Sequence, residues 1–167
     1  MEENYKDEMI VIDNVNRYNE IFGLETKHPL VSIIDLTKST TWPTRAWFRY
    51  EVYALFLKNV KCGDIKYGRQ YYDYQDGTIV CFGPGQITDL ELIQNIQPNA
   101  HGLLFHPDLI RGTSLGQEIK NYSFFSYETN EALHLSEEER QIVMDCLQKI
   151  AIELNHAIDR HSRRLIC

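Results

Sequence analysis

His101 and His106 are the first residues to weigh for chemistry. They stand five apart, at the two ends of the apolar run Gly102-Leu103-Leu104-Phe105. Two histidines one residue apart on a strand share a face and can reach one ion. At a spacing of five they point to opposite faces if the strand continues, and the chain contains no His-x-His. His156 and His161 are also five apart, a poor spacing for one helix face. The four cysteines, at 62, 81, 146 and 167, form no Cys-x-x-Cys pair. They read as free thiols, buried for Cys81 and Cys146. The sequence therefore predicts no metal site and no cofactor. There is no Gly-x-Ser-x-Gly elbow and no phosphate loop, and Gly63, Gly68 and Gly77 are turn glycines with no helix after them. A lone Ser or Cys without a base beside it makes no nucleophile.

A ligand pocket is the remaining option. Six of the ten tyrosines fall at 50, 53, 67, 71, 72 and 74. On an extended segment ending at Lys58, alternation puts Tyr50, Val52, Ala54, Phe56 and Lys58 on one face, and on a later arm Gln70, Tyr72 and Tyr74 share a face. Tyr50, Phe56, Lys58, Tyr72 and Tyr74 are the candidate ligand-binding residues, with Ala54 and Gly102 small where a pocket needs room. The plainer reading is that Lys58 emerges into solvent and the tyrosines are half-buried core.

These side chains need elements to hold them. Leu30–Asp35, Trp47–Lys58, Asp64–Tyr67, Gln70–Tyr74, Thr78–Phe82, Gln86–Ile93 and His101–Phe105 read as about seven short strands separated by turn signals, the rhythm of a sandwich or barrel. Trp47–Lys58 is expected as one long strand, Gly83-Pro84-Gly85 as a corner. Asn14–Phe22 reads as a short helix, capped by Asp13 or Asn14 and ended by Gly23. After Pro107 the pattern turns helical. Pro107 opens a turn closed at Gly112, Ser114 is a cap for Leu115–Asn121, and a long amphipathic helix runs from Ser136 to about His161 behind the capping box Ser136/Glu139. Its apolar residues Val143, Leu147, Ile150, Leu154 and Ala157 follow a coiled-coil-like spacing, and a second flank lies at 142, 146 and 151. The expected organisation is an arm with a short helix over 1–28, a β domain over 29–106 and a helical part over 107–167.

The formal net charge of −7 argues against direct binding to nucleic acid, whose phosphates favour basic partners. No stretch approaches the ~20 apolar residues of a membrane span. The acidic start, Met1-Glu2-Glu3, lacks the features of a signal peptide, so a cytoplasmic location is expected. The apolar Leu165-Ile166-Cys167, after the basic Arg160–Arg164, predicts a chain that continues into a further helix.

Several stretches together resemble one family. They are Tyr18-Asn19-Glu20-Ile21-Phe22-Gly23-Leu24-Glu25-Thr26, the 62–74 hairpin, Pro84-Gly85-Gln86, and His106-Pro107-Asp108-Leu109-Ile110-Arg111-Gly112-Thr113-Ser114-Leu115-Gly116. The chain resembles the sensor domain of AraC-type transcription regulators, in a branch common in anaerobic gut bacteria. That resemblance implies a small cupin-like barrel of the jelly-roll type, then a pair of helices that dimerise, then a DNA-binding domain that this sequence does not contain. It implies a non-catalytic module that binds an unidentified small effector or serves in dimerisation, with no membrane role and with DNA contacted only through the further domain. In arabinose-type relatives a sugar sits in the barrel, but no residue-by-residue match to such a site is present. The alternative is a metal-free cupin enzyme such as a sugar epimerase or isomerase. It would pair His101 or His106 with Tyr72 or Asp73 as acid and base, all facing one substrate.

Overall fold

The computed structural model describes residues 9–58, 63–67, 70–71, 77–92, 95–125 and 133–156, with backbone alone for 63–67 and 70–71. The chain is mainly β. Strands β1 (Met9–Ile12), β3 (Arg45–Tyr50), β5 (Gly63–Tyr67), β6 (Gln70–Tyr71) and β8 (Ile87–Leu92) make a first sheet in the order β1-β3-β8-β5-β6. Strands β2 (Val31–Asp35), β4 (Tyr53–Lys58), β7 (Thr78–Phe82), β9 (Ala100–Phe105) and β10 (Leu133–His134) make a second, ordered β10-β7-β4-β9-β2. Every pairing is antiparallel except β1 with β3. Among the described residues no ladder joins the two sheets into a closed barrel.

The expected single strand over Trp47–Lys58 is two strands, one in each sheet. β3 ends at Tyr50, whose N–H donates to the Gln86 carbonyl (2.9 Å), and the chain crosses to the other sheet at Glu51 and Val52. Side-chain alternation survives the crossing. Phe48, Tyr50, Val52, Ala54 and Phe56 all enter the same core between the sheets.

The arm expected over 1–28 is, from Met9 on, built into the fold. β1 extends the first sheet, and helix α1 (Val15–Phe22) follows it. Asn14 caps α1 by accepting from the Arg17 N–H (2.9 Å), and past Gly23 the Leu24 N–H returns to the Asn19 carbonyl (2.8 Å). This fixes the length of the helix at two turns and aims Val15, Tyr18, Ile21 and Phe22 between the sheets. The buried Asn19 amide donates to Thr26 Oγ1 and Ser32 Oγ, both at 3.0 Å, tying α1 to β2.

Short helical segments cover the outer face of the second sheet. His106 caps the 3-10 turn Pro107–Leu109 by accepting from the Asp108 N–H (3.0 Å). Thr113, rather than Ser114, caps α2 (Ser114–Glu118) by accepting from the Gly116 N–H (3.1 Å). Helix α3 (Glu137–Asn155) starts at the predicted capping box, with both reciprocal bonds of Ser136 and Glu139 present. It ends earlier than the expected His161: His156 is already extended (φ −78°, ψ 160°). No helix among the described residues is long and apolar enough to cross a membrane.

Candidate functional site

Two regions compete for the role of site: the space between the sheets, and a groove outside the second sheet. The first contains the predicted pocket residues. Tyr50 and Phe56 face inward, 3% exposed each, and Lys58 is 7% exposed with its Nζ 5.6 Å from the centroid of the Phe56 ring. Lys58 thus turns inward, against the plainer expectation that it emerges into solvent. Tyr72, Tyr74 and Asp73 lie outside the described residues. Burial pushes the Tyr50 phenol well above its ordinary range, offset in part by its hydrogen bond with Thr88.

Among the described residues, the space that Tyr50, Phe56 and Lys58 share is filled. Tyr18 and Phe22 of α1 stack with centroids 4.6 Å apart, and Tyr18 lies 5.8 Å from Phe56. Tyr50 stacks on Phe82 at 5.2 Å. What remains is a cavity of about 20 Å³ bounded by these rings, Lys58 and Thr88. That is close to the minimum that holds one water, far below the few hundred Å³ of a ligand pocket. Gly102 provides no room either. A Cβ there would stand 2.6 Å from Phe56 Cδ1 and 2.7 Å from the Leu55 carbonyl oxygen. The Phe56 ring occupies the place of the missing side chain, across the ladder where Phe56 and Gly102 pair.

The corner Gly83-Pro84-Gly85-Gln86 is a latch. Gly85 has φ 88°, a left-handed conformation that glycine adopts without strain, and its N–H donates to the Tyr50 carbonyl (2.7 Å). Gln86, 2% exposed, accepts from the Gly83 N–H and donates to the Phe125 carbonyl, both at 2.6 Å. A motif that marked the resemblance therefore pins the outer 3-10 turn Ser123–Phe125 to the sandwich.

The two histidines of the acid–base alternative lie away from the interior, and their expected partners Tyr72 and Asp73 lie outside the described residues. His101 opposes Asp35 across β9 and β2, on the outer face, and its Nε2 lies 3.5 Å from Asp35 Oδ1. His106 is the cap of its 3-10 turn. Neither faces the space between the sheets. Among the described residues no three His, Cys, Asp or Glu side chains gather where they could hold a metal ion. Cys81 is buried as expected, its thiol pushed up to about 12 by burial, whereas Cys146 is exposed, contrary to expectation. Cys62 and Cys167 lie outside the described residues.

The predicted helix seam packs inward on its own chain. Val143 and Met144 lie against Leu57, Ile79 and Cys81, and Ile150 and Leu154 against Val31, Tyr53 and Phe105. Leu147 is 6% exposed; Ala157 lies outside the described residues. The opposite face stays open, with Ile142 56% and Ile152 48% exposed.

Beside this helix runs a groove of about 800 Å³. Its floor is the outer side of β2, with Ile33 and Asp35. One wall is α3, with Met144, Leu147 and Ala151; the other is the chain at 23–27. Lys38 and His101 stand against Asp35 at one end, Arg140 of α3 pairs with Glu137, and Lys27 donates to Asn155 Oδ1 at the other end. Sequence reasoning missed this groove. Its floor and its wall are over a hundred residues apart, and neither segment carries a local sign of the other. No family model matches the chain, and no curated protein matches it.

Proposed function

We propose that the chain is a non-catalytic regulatory module of the AraC-type sensor kind, built on a cupin-like jelly roll. The strand order supports the fold. From β2 to β5 successive strands alternate between the sheets, β5 and β6 form a hairpin, and from β6 to β9 they alternate back, giving β2-β9-β4-β7 facing β3-β8-β5-β6. Two interlocked Greek keys of eight strands have this order. The resemblance carried by the α1, Pro-Gly-Gln and His106–Gly116 segments supports the family. The observation that carries the non-catalytic reading is the packed interior: α1 fills it, a cavity of about 20 Å³ remains, and both candidate histidines are elsewhere. Such a module acts by assembly and docking, and DNA contact would belong to a further domain.

Assembly would use the open face of α3. An antiparallel pairing of two copies centred on residue 147 sets Ile142 against Ile152 and Asp145 against Lys149, each exposed here.

The test is turnover and binding on one sample. The protein is incubated with free and nucleotide-linked sugars and followed by NMR, and a thermal-shift series covers sugars, aromatic acids, bile acids and short peptides. No conversion, with either self-association in sedimentation or a saturable rise in Tm, is expected. Conversion of a sugar that is lost in His101→Gln or His106→Gln would overturn the reading and install the epimerase alternative. Absence of both self-association and ligand binding would overturn it as well.

A further inference from the structure

We infer that the groove beside α3 is a peptide-binding site in which an extended segment of a partner adds to the free edge of β2. The inference does not depend on the regulatory reading. Among the described residues β2 is the last strand of its sheet, bonded on one side to β9. The Leu30 carbonyl accepts from the His106 N–H (2.7 Å), which sets the phase of the ladder. Antiparallel neighbours exchange bonds at alternate residues, so Ser32 and Ile34 bond to Leu104 and Gly102. Val31, Ile33 and Asp35 then direct their backbone groups away from β9.

Val31 is fully buried and Asp35 caps the 3-10 turn Leu36–Lys38, so the open stretch is centred on Ile33, half-buried on the groove floor. The outward N–H and C=O of Ile33 meet no partner among the described residues. Exposed edges in soluble proteins are usually blunted by lysine, proline or a bulge. Val31-Ser32-Ile33-Ile34-Asp35 has none of the three within it.

An occupant of this edge must present donors and acceptors at strand spacing, which an extended peptide does and a sugar or lipid does not. The groove follows α3 from Arg140 to Asn155, about 22 Å at helical rise, enough for roughly six extended residues. Alternate side chains of that peptide would face Met144, Leu147 and Leu154, which favours apolar residues there. Lys38 and His101 at that end already face the Asp35 carboxylate, so a polar, uncharged residue of the peptide suits that end.

The test uses the full chain and an acetylated hexapeptide amide that alternates valine with threonine. A second peptide carries N-methyl groups on the amides that would face β2. Titration is followed by calorimetry and by amide shifts in heteronuclear NMR. The expected result is saturable binding with the largest shifts at Ile33, Asp35 and Leu147, weakened about five- to tenfold by N-methylation. Ala151→Trp, which fills the groove from its wall, should abolish binding while the melting temperature is retained. Equal binding of both peptides, shifts confined to the open α3 face around Ile142 and Ile152, or no binding would overturn the proposal. An Ile33 amide already protected from hydrogen exchange in the free protein and released when residues 157–167 are removed would also overturn it, because the chain's own end would then be the occupant.

Discussion

The interior and the outer groove are built from the same second sheet, yet one is closed and the other open. On the inner face, Phe56 and Phe82 meet rings from α1 and the first sheet, leaving about 20 Å³. On the outer face, α3 touches the sheet along one line and leaves about 800 Å³ beside β2. The difference lies in what each face has to bury. Inner positions carry aromatic rings that a two-turn helix can cap completely. The outer face ends in Asp35 and His101, which a fully apolar cover would strand without solvent. Among the described residues, open space is therefore found where charge interrupts the apolar pattern; the side chains of Tyr67, Tyr71, Tyr72 and Tyr74 lie outside them.

The comparison breaks most directly at Phe22. Phe22→Ala should cost about 3–5 kcal/mol in denaturant unfolding, because a fully buried ring leaves a cavity the sheets cannot close. It should also let indole raise the melting temperature, an effect absent in the unaltered protein. A variant that loses under about 1 kcal/mol would mean that α1 does not plug the interior. Gln86→Ala comes next, at about 1–3 kcal/mol, since it strands the Gly83 N–H and the Phe125 carbonyl together. Gly102→Ala should cost a similar 1–3 kcal/mol by overpacking against Phe56 and the Leu55 backbone. Pairing it with Phe56→Leu should recover part of that loss, a non-additivity that independent sites would not show.

Smaller effects sharpen the outer side. Ser136→Ala should cost about 1 kcal/mol by removing the cap of α3. The Ser136 backbone N–H, and after it the Ser136 hydroxyl, hold the Glu139 carboxyl below its ordinary value, so the stability it contributes is present at neutral pH and is lost as pH falls through the lowered value; a denaturation series at decreasing pH should show it, and Glu139→Gln should flatten it. Thiol labelling followed by mass spectrometry should find Cys146 modified in the native protein at pH 8 and Cys81 modified only on unfolding.

Much of the fold was legible where a local signal existed. Asn14 and Gly23 bounded α1, Ser136 and Glu139 started α3, and alternation placed Tyr50, Ala54 and Phe56 on one inward face. The break at Glu51–Val52 was invisible because no glycine or proline marks it and the alternation runs through the crossing. β1 and β10 are too short to announce themselves, and their pairing is non-local. The site was less legible. Tyr50, Phe56 and Lys58 do converge, but whether they enclose space depends on Tyr18 and Phe22, which the sequence places in an arm. The seam of α3 was correctly seen as apolar; that it faces its own sheet depends on Leu57, Ile79 and Val31, remote in sequence.

The most direct measurement of the central claim, that the interior is core and the opening lies outside, is an amide-resolved NMR ligand screen of the unaltered protein. The account predicts that any compound or peptide that binds moves the amides of Ile33, Asp35 and Leu147 and leaves those of Phe56, Val80 and Phe82 in place. Shifts at Phe56, Val80 and Phe82 with the groove silent would contradict it, and would return the site to the space between the sheets.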